Sequence, residues 1–355
     1  MTPDSLNDLF FALIRYYVGT GERPIVNDTE VWQDIYDLAK VHALTGIIFS
    51  VAEKYPREEA VPKMLLREWL GDSLGIEWKN RSANDVAGLL FSQFGSAGYR
   101  CVLLKGQGAG MMYPTPKYRS SGDIDLWVDG DRKELIDLVR KHNPKAKICH
   151  HHGDYGKIDG VPVEILFLPT WLYNPFHDAR LQSFFRSELE IGKVIPVTIG
   201  ASEIIVPSST FNTVFMLVHM YKHIFNEGLG LRQLMDYFFV LNDSDIDRPG
   251  VVSLFGRTGL LRFAGAVMYL MKVVFGIADE KLLVEPDSDA GAVLLREVMK
   301  SGNFGVREKL AGNETGKLSY RQKRLWRFVF IYPSEVLWAP LWKAWHWSWR
   351  KVNGY

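Results

Sequence analysis

Residues 123–128 set the strongest constraint on how this chain can fold. They read Asp123-Ile124-Asp125-Leu126-Trp127-Val128. Successive side chains of a strand point to opposite faces, so Asp123 and Asp125 share one face, opposite Ile124, Leu126 and Val128. The apolar side needs a cover. The acidic side needs a cation, because two carboxylates side by side repel and are costly to desolvate. Mg²⁺ suits that arrangement, taking one or two carboxylates together with phosphate oxygens and water. A solvated edge strand carrying two acids would show the same pattern, so the neighbouring segments have to decide.

Those neighbours form a β-rich island between helical stretches. Upstream, Leu9, Leu13, Tyr16 and Tyr17 recur at helical spacing, as do Val31, Ile35, Leu38 and Ala39. Asp28 or Thr29 is the expected N-cap of the second group, with Glu30 in its first turn. Residues 61–74 read as a third helix, and 86–94 continue the helical pattern until Gly95 to Gly98 stop it. The island predicts strands at 99–104, 124–128, 146–150, 155–158 and 161–168. It also predicts a helix at 131–141, a hairpin turn at Gly160 and an edge strand at 195–199. Helical spacing returns at 211–225, 231–241, 251–258 and 260–275. The expected fold is therefore α+β, a small mixed sheet flanked by helical regions. Its expected divisions are residues 1–98, 99–200 and 201–355.

Charge and cysteine content narrow the function. Lys and Arg number 42 against 41 Asp and Glu over 355 residues, which argues against a dedicated nucleic-acid binder but not against one nucleotide. Two cysteines, Cys101 and Cys149, make no disulfide framework, and the expected compartment is the cytoplasm. Acids precede the short apolar run after Leu9, unlike a signal peptide, and Arg262 and Lys272 interrupt the longest apolar stretch, so no stable membrane insertion is expected. Six tryptophans from Trp326 to Trp349 alternate with Arg324, Arg327, Lys343, Arg350 and Lys351. Membrane-surface contact, RNA stacking and packing on the chain's own core all suit that tail.

Two features around the acidic strand point to chemistry. Leu104-Lys105-Gly106 ends the preceding strand in a glycine, and a short helix can follow. Glu164 lies between Val163 and Ile165, so it faces away from both, on the open side of the sheet. Shared metal binding would remove the cost of burying it. Asp154 and Asp159 fall at turns, where acids are common. Gly106-Gln107-Gly108-Ala109-Gly110-Met111 imitates a dinucleotide fingerprint, but Met111 takes the last small position and no βαβ unit frames it. His150-His151-His152 reads as a polar strand end.

With these residues in place, the sequence resembles the nucleotidyltransferase superfamily, with its DNA polymerase β-like fold. It is more closely similar to the bacterial family of uncharacterised nucleotidyltransferases. The carrying segments are Leu104-Lys105-Gly106, Tyr113-Pro114-Thr115-Pro116-Lys117-Tyr118-Arg119 and Asp123-Ile124-Asp125-Leu126. His219, His223 and Gly228-Leu229-Gly230-Leu231-Arg232-Gln233-Leu234-Met235-Asp236 complete them, so the likeness spans roughly residues 35–240.

The resemblance implies transfer of NMP, with ATP as the expected donor, to a hydroxyl or amine acceptor with release of pyrophosphate. It implies Mg²⁺ or Mn²⁺ held by Asp123, Asp125 and Glu164, with Glu164 helping to deprotonate the acceptor. Nucleotide contacts would come from Lys105, Gly106, Gln107, Arg119, Ser121 and Gly122. The superfamily often has Ser where this chain has Gln107, which leaves phosphate binding there to backbone N–H groups. His219, His223 and Arg232 would form the far wall of the cleft, Arg232 reaching nucleotide, acceptor or Asp236 one turn on. Two other readings remain: a D-x-D glycosyltransferase using a nucleotide sugar, and a degenerate nucleotidyltransferase domain acting as a scaffold. The acceptor, whether small molecule, protein or RNA end, is left open.

Overall fold

The computed structural model describes residues 3–190, 193–306 and 325–355. Four N-terminal helices come first: α1 (Pro3–Val18), α2 (Val31–Val41), α3 (Thr45–Ala52) and the long α4 (Lys63–Ser96). The mixed unit follows as β1 (Cys101–Leu104), α5 (Gly106–Gly110), β2 (Ile124–Val128), α6 (Arg132–His142), β3 (His152–Ile158), β4 (Val161–Leu166) and α7 (Pro175–Glu188). A hairpin, β5 (Ile195–Ile199) and β6 (Ser202–Val206), leads into α8 (Ser209–Asn226), α9 (Leu231–Leu241), α10 (Arg248–Thr258), α11 (Leu261–Phe275) and α12 (Ser288–Ser301). The helix α13 (Pro333–Val352) ends the chain. The α+β class is as expected.

The sheet has strand order β1-β2-β4-β3. β1 and β2 are antiparallel, β2 and β4 parallel, β3 and β4 antiparallel. Period-two patterning sorts its faces. Ile124, Leu126 and Val128 join Val163 and Ile165 in a core closed by Val86 and Leu90 of α4 and Leu135 and Val139 of α6. The other face is not open along its length: Val102, Leu104 and Leu166 pack into a larger core with Phe211 and Phe215 of α8. Asp125 emerges at the margin of that cover.

The larger core is shared by both helical regions. Phe10 and Leu13 of α1, Trp32 of α2 and Trp69 of α4 belong to the same buried cluster as Leu234 of α9 and Val267 of α11. Arg15 Nη1 donates to Val273 O at 2.8 Å, tying the first helix to the end of α11.

Several local expectations differ from the structure. The helical segments expected at 61–74 and 86–94 join in one helix, α4, of 34 residues. Its middle packs through polar contacts: Asn80 Nδ2 donates to Lys117 O (2.8 Å) and Arg119 O (2.7 Å). The strand expected at 146–150 is only an isolated pairing of Ile148 with Gly153, and β3 starts at His152 instead. Residues 195–199 do form a strand but not an edge of the main sheet. They pair with β6 through a tight turn at Gly200, whose φ of 61° suits glycine. That hairpin straddles residue 200. The expected cap of α2 shifts too: Glu30 holds the N-cap position, and Asp28 Oδ1 accepts from its N–H at 2.9 Å.

Part of the C-terminal tryptophan group packs on the chain itself, while Trp326 and Trp347 are exposed. Trp342, Trp345 and Trp349 surround His150, with ring centroids 5.0–6.3 Å away. Arg324 lies outside the described residues. Among the described residues no helix is long and apolar enough to cross a membrane.

One glycine locks α3 to the segment before the acidic strand. A Cβ on Gly46 would fall 2.6 Å from Tyr118 O. Gly46→Ala should therefore destabilise the chain by about 1–3 kcal/mol, read by chemical denaturation.

Candidate active site

The acidic cluster follows from strand pairing. β2 and β4 run in parallel with Asp125 opposite Glu164, and Asp123 stands one same-face position before Asp125. One carboxylate oxygen from each of Asp123, Asp125 and Glu164 lies within 4.8 Å of the others. Asp125 is buried, Glu164 partly buried and Asp123 exposed. Burial first, then the neighbouring aspartate charge, pushes Asp125 up to about 6, while Lys105 pulls the other way. Burial, with Asp125 and Asp123 adding to it, pushes Glu164 up to about 8. The set is all oxygen, crowded and short of positive charge, and it could hold a hard divalent ion.

Lys105 is the cation that answers this crowding. Its Nζ lies 2.8 Å from Asp125 Oδ2. Burial would lower its pKa, but Asp125, Asp123 and Glu164 together hold the ammonium above its ordinary range. The backbone there is strained: Lys105 has φ 55°, ψ −142°, unusual for a residue with a Cβ. Gly106 follows at φ 42° and opens α5.

The expected nucleotide residues divide. Lys105, Gly106, Ser121 and Gly122 line the same cavity as the three acids, a space of about 1220 Å³. The Gln107 side chain does not reach it. Its Nε2 turns to α4 and donates to Asn84 Oδ1 at 2.6 Å, because α5 packs against that helix. Arg119 reaches the cavity but is committed elsewhere: Nε and Nη2 each lie 2.7 Å from an Asp236 oxygen. Tyr113 Oη donates to the same carboxylate. The Tyr113…Arg119 segment and the Gly228…Asp236 segment thus meet in one buried clasp, which sequence reading missed. The two segments lie more than a hundred positions apart, and no local pattern pairs Arg119 with Asp236.

His219, His223 and Arg232 all line the cavity opposite the sheet. The contact of Arg232 with Asp236 is not found: Arg119 and Tyr113 occupy that carboxylate, and Arg232 Nη1 donates to Ser120 O at 2.7 Å. His219 Nε2 and His223 Nε2 lie 2.7 Å apart, and burial holds both imidazoles below their ordinary range. They pair as neutral rings, one donating to the other. Of the triplet, His151 and His152 touch at 2.6 Å and line the cavity, and His152 Nε2 stands 3.6 Å from Glu164 Oε1. His150 instead turns to the tail tryptophans.

No curated protein matches the chain. Among solved structures it is similar to an antigenic nucleotidyltransferase-like protein from Paracoccidioides brasiliensis, with 13% identity and a TM-score of 0.31, covering 50% of this chain and 89% of that one. The profile of the family described as uncharacterised nucleotidyltransferase matches residues 28–276. The chain belongs to that uncharacterised nucleotidyltransferase family.

Proposed function

We propose that the protein transfers NMP, with ATP as donor, to a hydroxyl or amine acceptor and releases pyrophosphate. The observation that carries this reading is the meeting of Asp123, Asp125 and Glu164 on one sheet face, at the wall of a large cavity. Asp123, Asp125 and Glu164 would hold Mg²⁺ or Mn²⁺. Such an ion supplies charge neutralisation at the phosphates and lowers the barrier to displacement at phosphorus.

The chain's own residues account for the rest. Gly106, lacking a Cβ, lets phosphate oxygens approach the backbone after β1. Lys105, already beside Asp125, supplies mobile positive charge at the reacting phosphate. Arg119 and Arg232 are both buried, yet Asp236 offers their group only one negative charge. Arg119 Nη1 and Arg232 Nε have no hydrogen-bond partner. This surplus beside Ser121 and Gly122 suits the departing pyrophosphate. The acceptor's oxygen or nitrogen forms the new bond to the α-phosphorus while the bond to pyrophosphate breaks. Glu164 takes the acceptor's proton, and His219 and His223 wall the site against water.

Incubation with labelled nucleoside triphosphates and Mg²⁺, followed by assay of pyrophosphate release, tests the reaction. Binding is tested first. Mg-ATP at about 100 times its dissociation constant should stabilise the protein by about 2.7 kcal/mol. No thermal shift with any Mg-nucleotide at millimolar concentration would overturn the reading.

A further inference from the structure

The cavity runs well past the carboxylates. Small-molecule pockets usually span ~300–1,000 Å³, and about 1220 Å³ leaves room for a second ligand beside a nucleotide. Helix α8 forms one wall. Its Phe215 ring lies 5.6 Å from Lys105 Nζ, at the carboxylate end. Lys222 sits roughly 10 Å farther along the axis, at ~1.5 Å per residue. The far end there is closed by Trp342 and Lys343 of α13.

That end is rich in buried donors with nothing to receive them. Lys222, the single Lys, Arg, Asp or Glu of α8, is 6% exposed, and its Nζ makes no hydrogen bond. It lies over aromatic faces, 3.2 Å from the Tyr173 ring centroid and 4.2 Å from that of Trp171. Trp171 Nε1 is also buried without an acceptor. An ammonium and an indole N–H can only donate. The two neighbouring carboxylates are engaged elsewhere: Glu335 by the N–H groups of Tyr173 (2.7 Å) and Asn174 (3.1 Å), and Asp178 Oδ1 by Leu172 N–H and Gln182 Nε2 at 3.0 Å each. Burial pushes the Lys222 ammonium below its ordinary range, a cost that an adjacent anion would relieve.

We propose that this end is the acceptor subsite, and that the acceptor is a small molecule whose carboxylate or phosphate is received by Lys222 Nζ and Trp171 Nε1. The inference rests on the nucleotidyl-transfer reading and narrows its acceptor to a small anionic compound. The acceptor's separate hydroxyl or amine would face the carboxylate end and take the NMP, with pyrophosphate leaving and the proton passing to Glu164.

The test uses the full chain, Mg²⁺, ATP labelled at its α-phosphate, and a cell extract separated into macromolecular retentate and ultrafiltrate, the ultrafiltrate then split on an anion exchanger. Label should enter a product of the retained small-molecule fraction. Prior phosphatase treatment of that fraction separates the sources: loss of acceptor activity marks a phosphate, survival a carboxylate. Lys222→Met should raise the KM for the retained fraction about tenfold and leave the KM for ATP within about twofold, while Lys222→Arg keeps most of the affinity. Should Lys222→Met fail to melt cooperatively, Trp171→Phe, which removes only the indole donor, should raise the same KM severalfold. Label in the macromolecular retentate or the unretained fraction alone, or equal changes in both KM values, would overturn the proposal. Mg-ATP binding with no labelled product from the retained fraction defeats this inference alone, whereas absence of Mg-nucleotide binding defeats the reading beneath it.

Discussion

Asp123→Asn should lower nucleotidyl transfer by about three orders of magnitude while the metal-free protein melts no lower than the parent. The two effects have one origin. Asp123 is exposed and shares a 4.8 Å cluster with two other carboxylates. Without a metal ion the three acids repel, and removing one charge relieves that repulsion. During turnover the same charge is needed, and a loss of about 4 kcal/mol in transition-state stabilisation corresponds to about 10³ in rate. Asp125→Asn should behave differently. Asp125 is the buried partner of Lys105, so its loss should cost both activity and stability. Near-normal turnover of Asp123→Asn at saturating Mg²⁺ would remove Asp123 from the metal set.

Asp236→Ala should destabilise the fold by about 3–5 kcal/mol, the largest stability effect expected of a single change in the cleft. Asp236 accepts from Arg119 twice and from Tyr113, with Arg119 3% exposed and Arg232 8% exposed nearby. Removing it leaves two buried guanidinium groups with no counter-charge. Asp236→Leu combined with Arg119→Met should recover a large part of the loss, since an apolar pair of similar volume can replace a buried ion pair. Tyr113→Phe should cost about 1.5–3 kcal/mol, the range of a hydrogen bond to a charged group. Denaturant titrations of the three variants measure all three values. A loss below 1 kcal/mol for Asp236→Ala would mean that the arginines find other partners.

The cluster was legible because its logic is local. Strand alternation puts Asp123 and Asp125 on one face and turns Glu164 away from Val163 and Ile165, whichever strands pair. The helix expected at 131–141 was equally readable: α6 runs from Arg132 to His142, and Asp131 caps it by accepting from the N–H groups of Lys133 and Glu134. What escaped depends on long-range pairing. Nothing near Arg119 announces that Asp236 will take it, or that Arg232 will then be left with Ser120 O. The middle of α4 lacks a marked apolar stripe for a related reason. Asn80 is buried by hydrogen bonds to a loop almost forty positions away, so polarity there records a contact and not exposure. The strand expected at 146–150 lies against the outer edge of β3, where the tight reversal between Cys149 and His152 leaves Ile148 a single bridge to Gly153.

The binding of the first helix to the eleventh bears on how the chain comes into being. Arg15 and Val273 are 258 positions apart, and the cluster that buries Phe10 also needs Val267. At the ~5–20 residues per second of ribosomal synthesis, that partner emerges on the order of tens of seconds after α1 does. Through that interval Phe10 and Leu13 lack the surface of α11 that finally packs against α1. The newly made α1 therefore keeps apolar surface exposed until α11 follows, and a slowed ribosome lengthens that exposure.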